Sequence, residues 1–521
     1  MRKNSGALRT VAVMMIITFA GKALGLLRDS FAGSYFGTAT VEATAFNYAG
    51  VLPRNFMDVL FSSAISASFI PVFNEVLERR GRESAFKLAH NFISVILIAS
   101  ALATIIFMAL AEPILRLYDG GRNSGAIALG TVLLRIMLLT IVLGCLAFSL
   151  TGVLQSMGEF NAPAAMGLVS NAVILVYFFF FMDRFGVTGL CVAFVTGWLA
   201  QFLIQIPFLV KNKFRFRFHV DLRDEGLKRI GVLMLPVMVS TWVTPVNLLV
   251  NGRMAHLDIY GEQSFNALTY ANNLYSVLSG VFVLSITNVI FPKLSVQAVN
   301  SDRGAFGETM SRTIRAMFFL LLPMSFGLIA LSGPLVRLFY ERGEFTALST
   351  DLTSAALIYF SAGMCGFGLQ NLLTRGFYAF QEGKTPMLTS VLAIAANFGL
   401  SWGLVRFLGV GGPALASSVS ISLAAAVMLW VMNRKVKGIV NGRLFADLLK
   451  MLAIGLIMLW AVVWARDFVS ARIADNIAGE IWGISLPAAA GAVIYMGLAR
   501  LTRLPEAVAA FGILGKYLRK R

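Results

Sequence analysis

The sequence predicts an all-α polytopic membrane protein of about 14 transmembrane helices, with two six-helix lobes and two further C-terminal helices. Three observations predict this class. The 521-residue chain is 58% hydrophobic and only 13% charged, about half the charged fraction of an average soluble protein. Apolar runs of about 20 residues, long enough to cross a bilayer as helices, recur along the whole chain. Segments of the first half also recur in the second.

The apolar runs define the predicted spans. They cover residues 10–36, 41–75, 85–111, 125–156, 162–182, 187–210, 229–255, 263–292, 306–332, 349–379, 386–407, 411–433, 444–465 and 480–502. With both termini in the cytoplasm, 30 of the 44 Lys and Arg residues fall in cytoplasmic segments and 9 in external loops, as the positive-inside rule requires. The basic tail after the last span is predicted to be an amphipathic helix on the cytoplasmic leaflet.

Four pairs of short segments recur at offsets of 221 or 223 residues, among them Pro113–Leu117 with Pro334–Leu338. Six spans separate the copies, so both halves have the same orientation, and parallel repeats of this kind predict an alternating-access transporter with a site between the lobes. The predicted domains are an N-lobe (1–210), a basic cytoplasmic linker (211–229), a C-lobe (230–435), helices 13 and 14 (436–503) and a basic amphipathic C-terminal tail (504–521).

Five charged residues lie in the first two predicted helices, within 37 residues of one another: Lys22, Arg28, Asp29, Arg54 and Asp58. Charged side chains are costly at membrane depth, where they usually face a wet cavity or a partner. The cluster therefore favours a hydrated cationic site, against the alternative that these charges snorkel at helix ends or close on one another as a structural cluster. Polar residues inside other spans, such as Asn171, are expected to form interhelical hydrogen bonds.

Enzymatic and nucleic-acid functions find no support. The chain has no nucleotide-binding fingerprint, metal-ligand spacing or catalytic constellation, and Cys145, Cys191 and Cys365 are expected to be packing residues. The net charge of +18 is attributed to basic cytoplasmic loops beside anionic membrane lipids. These lipids are expected partners, whereas nucleic acid is not expected to be one. We expect no cofactor. Coupling to the membrane potential or to a monovalent ion is left open. The oligomeric state is also open, and a monomer is plausible.

Several segments carry a family resemblance. Lys22–Asp29 is similar to a basic-x-Leu-Gly-x-x-Arg-Asp/Glu signature, Gly343–Ala347 to a Gly-x-Phe-Thr segment, and Gly376–Pro386 to a Phe-Tyr-x-x-x-Asp/Glu-x-Lys-Thr-Pro segment. By these motifs the sequence resembles the MurJ (MviN) lipid II flippases of the MOP superfamily. The resemblance implies transfer of the undecaprenyl-pyrophosphate-linked peptidoglycan precursor from the inner to the outer leaflet of the bacterial cytoplasmic membrane. Lys22, Arg28 and Arg54 would then bind the pyrophosphate, and Asp29 and Asp58 would orient them.

The sequence also departs from the family pattern. Asn272 and Asn273 stand where the family usually has an Asp-Arg pair, so the second lobe is predicted to form a polar, nearly neutral wall; these two and Arg375 are candidate cavity-lining residues. For Arg375, snorkelling or pairing with a neighbour is an equal alternative. Two other functions stay open: a flippase for a different polyprenyl-linked oligosaccharide of O-antigen or capsule type, and an ion-coupled multidrug exporter, which the excess of basic residues disfavours.

Overall fold

The structure is a computed structural model of the full-length chain. It describes the backbone of all residues except Met1, 120–122, 242, 473–475 and 519–521. Side chains are described outside those residues and outside 2–16, 51, 54–64, 66–67, 236–237, 239–245, 284–285, 288, 292, 299, 510 and 513–518.

The fold is all-α throughout the described chain. Its α-helices in chain order are α1 Arg2–Phe36, α2 Val41–Ala64, α3 Ile70–Ala109, α4 Ala111–Asp119, α5 Ser124–Met137, α6 Leu139–Ser156, α7 Asn161–Phe180, α8 Met182–Leu203, α9 Ile206–Lys211, α10 Glu225–Thr241, α11 Val243–Ala255, α12 Glu262–Val299, α13 Arg303–Ala330, α14 Ser332–Tyr340, α15 Ala347–Ala362, α16 Met364–Ala379, α17 Lys384–Leu408, α18 Gly411–Lys435, α19 Gly442–Ser470, α20 Ile477–Leu501 and α21 Pro505–Leu518. A π-helical turn, Ile65–Phe69, joins α2 to α3.

Many of these helices are long and apolar enough to cross a bilayer. Among the described residues nine helical segments meet this test, and counting the pair α15 and α16, which meet at 46°, brings the number to ten. The other four predicted spans fall on α1, α2, α10 with α11, and α12, all of which are helical. The predicted polytopic α-helical class is confirmed at this level, and α21 confirms that the C-terminal tail contains a helix.

Short polar signals set the helix ends. The side chains of five N-cap residues accept hydrogen bonds from backbone N–H groups in the first turn of their helices, which would otherwise have no partner; these residues are Asn123, Asp302, Thr346, Asn441 and Asn476. Within α3, Gly81 has φ 79° and ψ 178° and so breaks the helix between the second and third predicted spans. Glycine adopts this conformation without the clash that a Cβ atom would cause.

The chain divides into two compact units, Met1–Arg253 and Met254–Arg521. In the first unit α1 packs on α7, α7 on α8, α2 on α5 and α3 on α6. One apolar core of this unit contains packed aromatic rings: Phe69 lies 4.7 Å from Phe92 and 5.4 Å from Phe73, measured between ring centroids. The helix α10 also packs on α2 and α3 within this unit.

In the second unit α17 packs closely on α18, α12 on α15 and α16, and α13 on α19. Small residues permit the tightest approach: a Cβ atom on Gly412 would lie 2.5 Å from the backbone nitrogen of Val405. A separate apolar core joins α13, α19 and α20 through Phe319, Met458 and Tyr495. This packing fixes the C-terminal pair α19 and α20 to the unit.

Candidate substrate-binding site

The site is built around Arg28 on α1, whose guanidinium is bound on two sides. Its Nε and Nη2 atoms donate to Oδ1 of the adjacent Asp29 at 3.0 and 2.7 Å. Its Nη1 atom donates to Oδ1 of Asn171 on α7 at 2.9 Å. The guanidinium also lies over the ring of Phe194 on α8, 5.3 Å from the centroid, a favourable cation–π geometry. Side chains from three helices therefore fix the position of this one cation.

The close packing of α1 on α7 makes this arrangement possible. A Cβ atom on Gly21 would lie 3.0 Å from the backbone nitrogen of Leu168, and one on Gly25 would lie 3.2 Å from Nδ2 of Asn171. Asn171 uses that nitrogen to donate to the carbonyl oxygen of Gly21 at 3.0 Å. Its amide thus bridges the two helices, which confirms the predicted interhelical hydrogen bond and directs its oxygen at Arg28.

Arg28 keeps hydrogen-bonding capacity for a ligand. A guanidinium has five N–H donors, and the bonds to Asp29 and Asn171 use three of them. The side chain is 21% exposed and that of Asp29 is 11% exposed, so the pair is not fully enclosed by protein. Planar guanidinium groups are well suited to bidentate binding of phosphate oxygens.

Lys22 lies six residues before Arg28 on α1, about 9 Å along the helix axis. It is exposed, and it forms no ion pair within the part of the chain whose side chains are described. This stretch of α1 thus carries two cations and one carboxylate, and that carboxylate pairs with Arg28. The predicted cationic character of the first helix is present in the described residues.

Two other predicted site residues, Arg54 and Asp58, lie outside the described side chains. The backbone places both on α2, after Pro53 inside that helix.

The structure separates the predicted site residues of the second unit. Asn272 and Asn273 are half-buried near the N-terminal end of α12. Arg375 on α16 stacks over the ring of Phe291, 5.5 Å from its centroid, near the other end of α12. Phe291 comes 19 positions after Asn272, which is about 28 Å along the helix axis. Arg375 therefore does not join the two asparagines in one contact site, and its cation–π contact matches the pairing alternative.

Two polar clusters were not found from the sequence. In the first unit Asp119, at the end of α4, is fully buried and accepts at Oδ1 from the Tyr48 hydroxyl at 2.6 Å and at Oδ2 from the N–H of Asn123 at 3.0 Å. Arg253 on α11 donates to the Asp119 carbonyl oxygen at 3.0 Å. Asp119 resembled an ordinary loop residue beside two glycines, and only the fold reveals its burial.

The second such cluster lies in the second unit. Arg315 on α13 donates from Nε to Oε1 of Glu506 on α21 at 2.5 Å, and its Nη1 lies 3.3 Å from Oδ2 of Asp447 on α19. These partners are 191 and 132 positions away in sequence. No motif or spacing joins them, because the cluster depends on the packing of three helices. It holds α21 against the unit.

The family of the chain follows from comparison with known proteins. The model of the family described as "Lipid II flippase MurJ" matches residues 32–477. The chain belongs to the MurJ family. The matched range begins three residues after Asp29, so the proposed roles of Lys22 and Arg28 depend on their chemistry and geometry.

Individual relatives carry the same name. A probable lipid II flippase MurJ from Vibrio cholerae is 27% identical over 490 residues, which cover 92% of this chain and 91% of the relative. A second, from Haemophilus influenzae, is 29% identical over 441 residues, with coverage of 79% and 83%. The chain is thus similar to MurJ proteins over most of their length.

Solved structures show the same fold. A lipid II flippase MurJ in an inward closed conformation superposes with a TM-score of 0.79 at 24% identity, covering 94% of this chain and 98% of that one. An inward-facing multidrug resistance MATE transporter of the MOP superfamily gives 0.70 at 15% identity, covering 82% and 98%. The fold is therefore that of polytopic MOP-superfamily proteins, and with the MurJ family it indicates a multi-pass protein of the bacterial inner membrane.

Proposed function

We propose that this protein transfers lipid II, a polyprenyl-pyrophosphate-linked glycan, from the inner to the outer leaflet of the bacterial cytoplasmic membrane. The match to the MurJ family over residues 32–477 carries this proposal. The protein acts as a transporter and performs no covalent chemistry on its substrate. The nature of the bound group, rather than a catalytic step, therefore decides which residues matter.

The pyrophosphate is the part of the substrate that Arg28 and Lys22 are suited to bind. Pyrophosphate oxygens would accept from the two guanidinium donors that Asp29 and Asn171 leave unused. Lys22 would add a mobile ammonium on the same helix. Asp29 neutralises Arg28 when the substrate is absent and keeps it oriented when the substrate is present, so the protein avoids a fully uncompensated cation at membrane depth.

Transport then follows by alternating access between two six-helix lobes, with helices 13 and 14 as an addition and both termini in the cytoplasm. The cationic wall belongs to the first lobe, and Asn272 and Asn273 are the proposed polar, neutral residues of the second. Arg54 would extend the cationic wall along α2, and Asp58 would orient the basic groups. The polyprenyl tail carries no polar group and needs no charged site. We expect transport to require no nucleotide. The proposal does not depend on coupling to the membrane potential or to an ion.

Complementation tests this function. A strain depleted of its own lipid II flippase should regain growth when it expresses this protein. The variant Arg28→Ala should fail to restore growth while its level in the membrane stays normal, because the main phosphate-binding group is gone. Arg116→Ala is a matched control, since Arg116 is an exposed arginine that pairs with Glu112 one helical turn away. It should complement normally.

The contrary outcomes are specific. Normal growth with Arg28→Ala would contradict the role of the cationic site. Failure of the unmodified protein, together with rescue of a mutant lacking an O-antigen flippase, would assign the protein to another polyprenyl-linked glycan.

A further inference from the structure

A basic extended segment connects α9 to α10. We call residues 212–224 the basic strap; it has no helix or strand and lies between α9 and α10. It contains four basic residues and two acidic ones, and Lys211 precedes it directly. The basic residues are exposed: Lys213, Arg215, Arg217 and Arg223.

The backbone of the strap is attached to one side of α3. Alternate N–H groups of the strap donate to polar side chains of that helix: Arg217 to Nδ1 of His90 at 3.3 Å, His219 to Oγ of Ser94 at 3.0 Å, and Asp221 to Oδ1 of Asn91 at 2.8 Å. The Asn91 amide returns a bond to the Asp221 carbonyl oxygen at 2.8 Å. Phe214 anchors the start of the strap, buried against Phe86 and His90. The strap is therefore a fixed surface feature.

This attachment leaves a row of large apolar side chains exposed. They occupy alternate positions, as in any extended chain: Phe216, Phe218, Val220 and Leu222. Phe218 is 63% exposed and Leu222 is 66% exposed. Large exposed apolar side chains on a segment that also carries basic residues are unusual on a water-facing surface and mark an interaction surface.

The position of the strap in the fold indicates whether it faces lipid or water. It begins where the candidate membrane span Met182–Lys211 ends. The strap also covers one side of α3 at Ser94. The same side of that helix continues through Ile98, Leu102 and Ile105, because these residues follow Ser94 at intervals of four, four and three. These three side chains are exposed, and α3 is itself a candidate span, so this side of the helix faces lipid. The strap therefore lies at the lipid-facing edge of the unit, at the end of two spans.

We propose that the basic strap binds anionic phospholipid headgroups at the membrane surface. Arg215, Arg217 and Arg223 supply guanidinium groups for phosphodiester oxygens. Phe218 and Leu222 enter the boundary between headgroups and acyl chains, where aromatic and aliphatic side chains next to basic ones are favoured. Charge complementarity selects an anionic lipid over a zwitterionic one. The site is distinct from the Arg28 site and does not depend on the proposed transport function.

The test uses the full-length protein in lipid nanodiscs. The three native cysteines are replaced by alanine, Phe218→Cys carries a fluorophore, and the nanodiscs are phosphatidylcholine with a fixed fraction of a lipid spin-labelled near its headgroup. We expect spin-labelled phosphatidylglycerol to quench the fluorophore more strongly than spin-labelled phosphatidylcholine. A fluorophore at Glu83→Cys, exposed on α3 but outside the strap, should show no such preference. If Phe218→Cys folds poorly, Leu222→Cys reports on the same row.

Charge variants decide the interpretation. Arg215→Gln/Arg217→Gln/Arg223→Gln should lose most of the preference for phosphatidylglycerol, and high salt should weaken it in the unmodified strap. The matched control Arg342→Gln/Arg406→Gln/Arg472→Gln removes the same charge from exposed positions of the second unit and should keep the preference. Equal quenching by the two lipids, or a preference that survives in the strap variant, would overturn the proposal. So would displacement of the spin-labelled lipid by equimolar lipid II but not by unlabelled phosphatidylglycerol, since the strap would then bind transport substrate.

Discussion

Arg28 in the first unit and Arg315 in the second are buried to a similar degree but are held in opposite ways. Their side chains are 21% and 17% exposed, respectively. Arg28 has one carboxylate partner, Asp29, and one neutral amide, Asn171. Arg315 has two carboxylate partners, Asp447 and Glu506, on two other helices. The difference lies in the balance of charge rather than in burial.

That balance separates a binding residue from a structural one. Around Arg315 the carboxylates outnumber the cation, so a second anion such as pyrophosphate would be repelled. Arg28 contacts a single carboxylate, and two of its N–H donors are unused. Of the two buried arginines, Arg28 is therefore the one that can receive an anionic ligand, while Arg315 fixes α21 to its unit.

The largest effect on stability is expected from Arg315→Met. It leaves two buried carboxylates without a cation, and breaking a buried ion pair in this way costs about 3–5 kcal/mol. Thermal unfolding in detergent should show a larger fall for Arg315→Met than for Arg28→Met, which leaves only one carboxylate without its partner. The triple variant Arg315→Met/Asp447→Leu/Glu506→Leu should recover much of the loss, because no unpaired charge remains. An equal fall in both single variants would remove the distinction drawn above.

Asn171→Asp should convert the surroundings of Arg28 into those of Arg315. The new carboxylate would face the guanidinium where the amide oxygen now accepts at 2.9 Å, so Arg28 would have two carboxylate partners. We expect growth complementation to fall nearly as far as with Arg28→Ala, although the protein stays folded. Asn171→Ala, which removes one orienting bond and adds no charge, should lose activity only in part. Full activity with Asn171→Asp would show that the charge around Arg28 does not matter.

The smallest effect is expected at an exposed ion pair outside the spans. Burial by itself raises the pKa of Glu382, but hydrogen bonds from Lys435 and Thr385 and the charge of Lys435 outweigh it, so its pKa lies below the ordinary value of 4.5. A depressed carboxylate pKa contributes stability above the ordinary value, which is lost as the pH falls through the folded-state pKa. Since Lys435 is 38% exposed, this contribution is at most about 1 kcal/mol.

Glu382→Gln should therefore lower the midpoint of thermal unfolding slightly at pH 7, and the gap to the unmodified protein should narrow below pH 4.5. Glu308→Gln removes the even more exposed ion pair with Arg312. It should leave the midpoint of thermal unfolding unchanged both at pH 7 and below pH 4.5. A gap that widened on acidification would contradict the direction of the Glu382 shift.

Sequence reasoning reached the Arg28 site because its signal is local. Arg28 and Asp29 are adjacent, and any charge in a run of apolar residues is conspicuous, since lipid provides no water to solvate it. Asn171 was also visible as a polar residue in an apolar helix, but its partner was not. That Arg28 is its partner depends on Gly21 and Gly25, which let α1 approach α7.

The remaining features depend on contacts that no local pattern encodes. Arg315, Asp447 and Glu506 each resemble ordinary charged residues of their helices, and only the packing of α13, α19 and α21 brings them together. The interruption between the second and third spans was predicted from hydropathy, but its form was not: the chain is helical on both sides of a single break at Gly81. The class of fold was predictable because hydrophobic length and charge bias are properties of the whole chain.

Direct binding of lipid II to purified protein tests the central claim, that Arg28 receives the pyrophosphate. Native mass spectrometry in detergent would measure the bound fraction for the unmodified protein, Arg28→Ala, and the structural control Arg315→Met/Asp447→Leu/Glu506→Leu. We predict that Arg28→Ala loses most of the bound lipid II and that the control retains it. Equal binding by the unmodified protein and Arg28→Ala would contradict the assignment of the pyrophosphate site to the first helix.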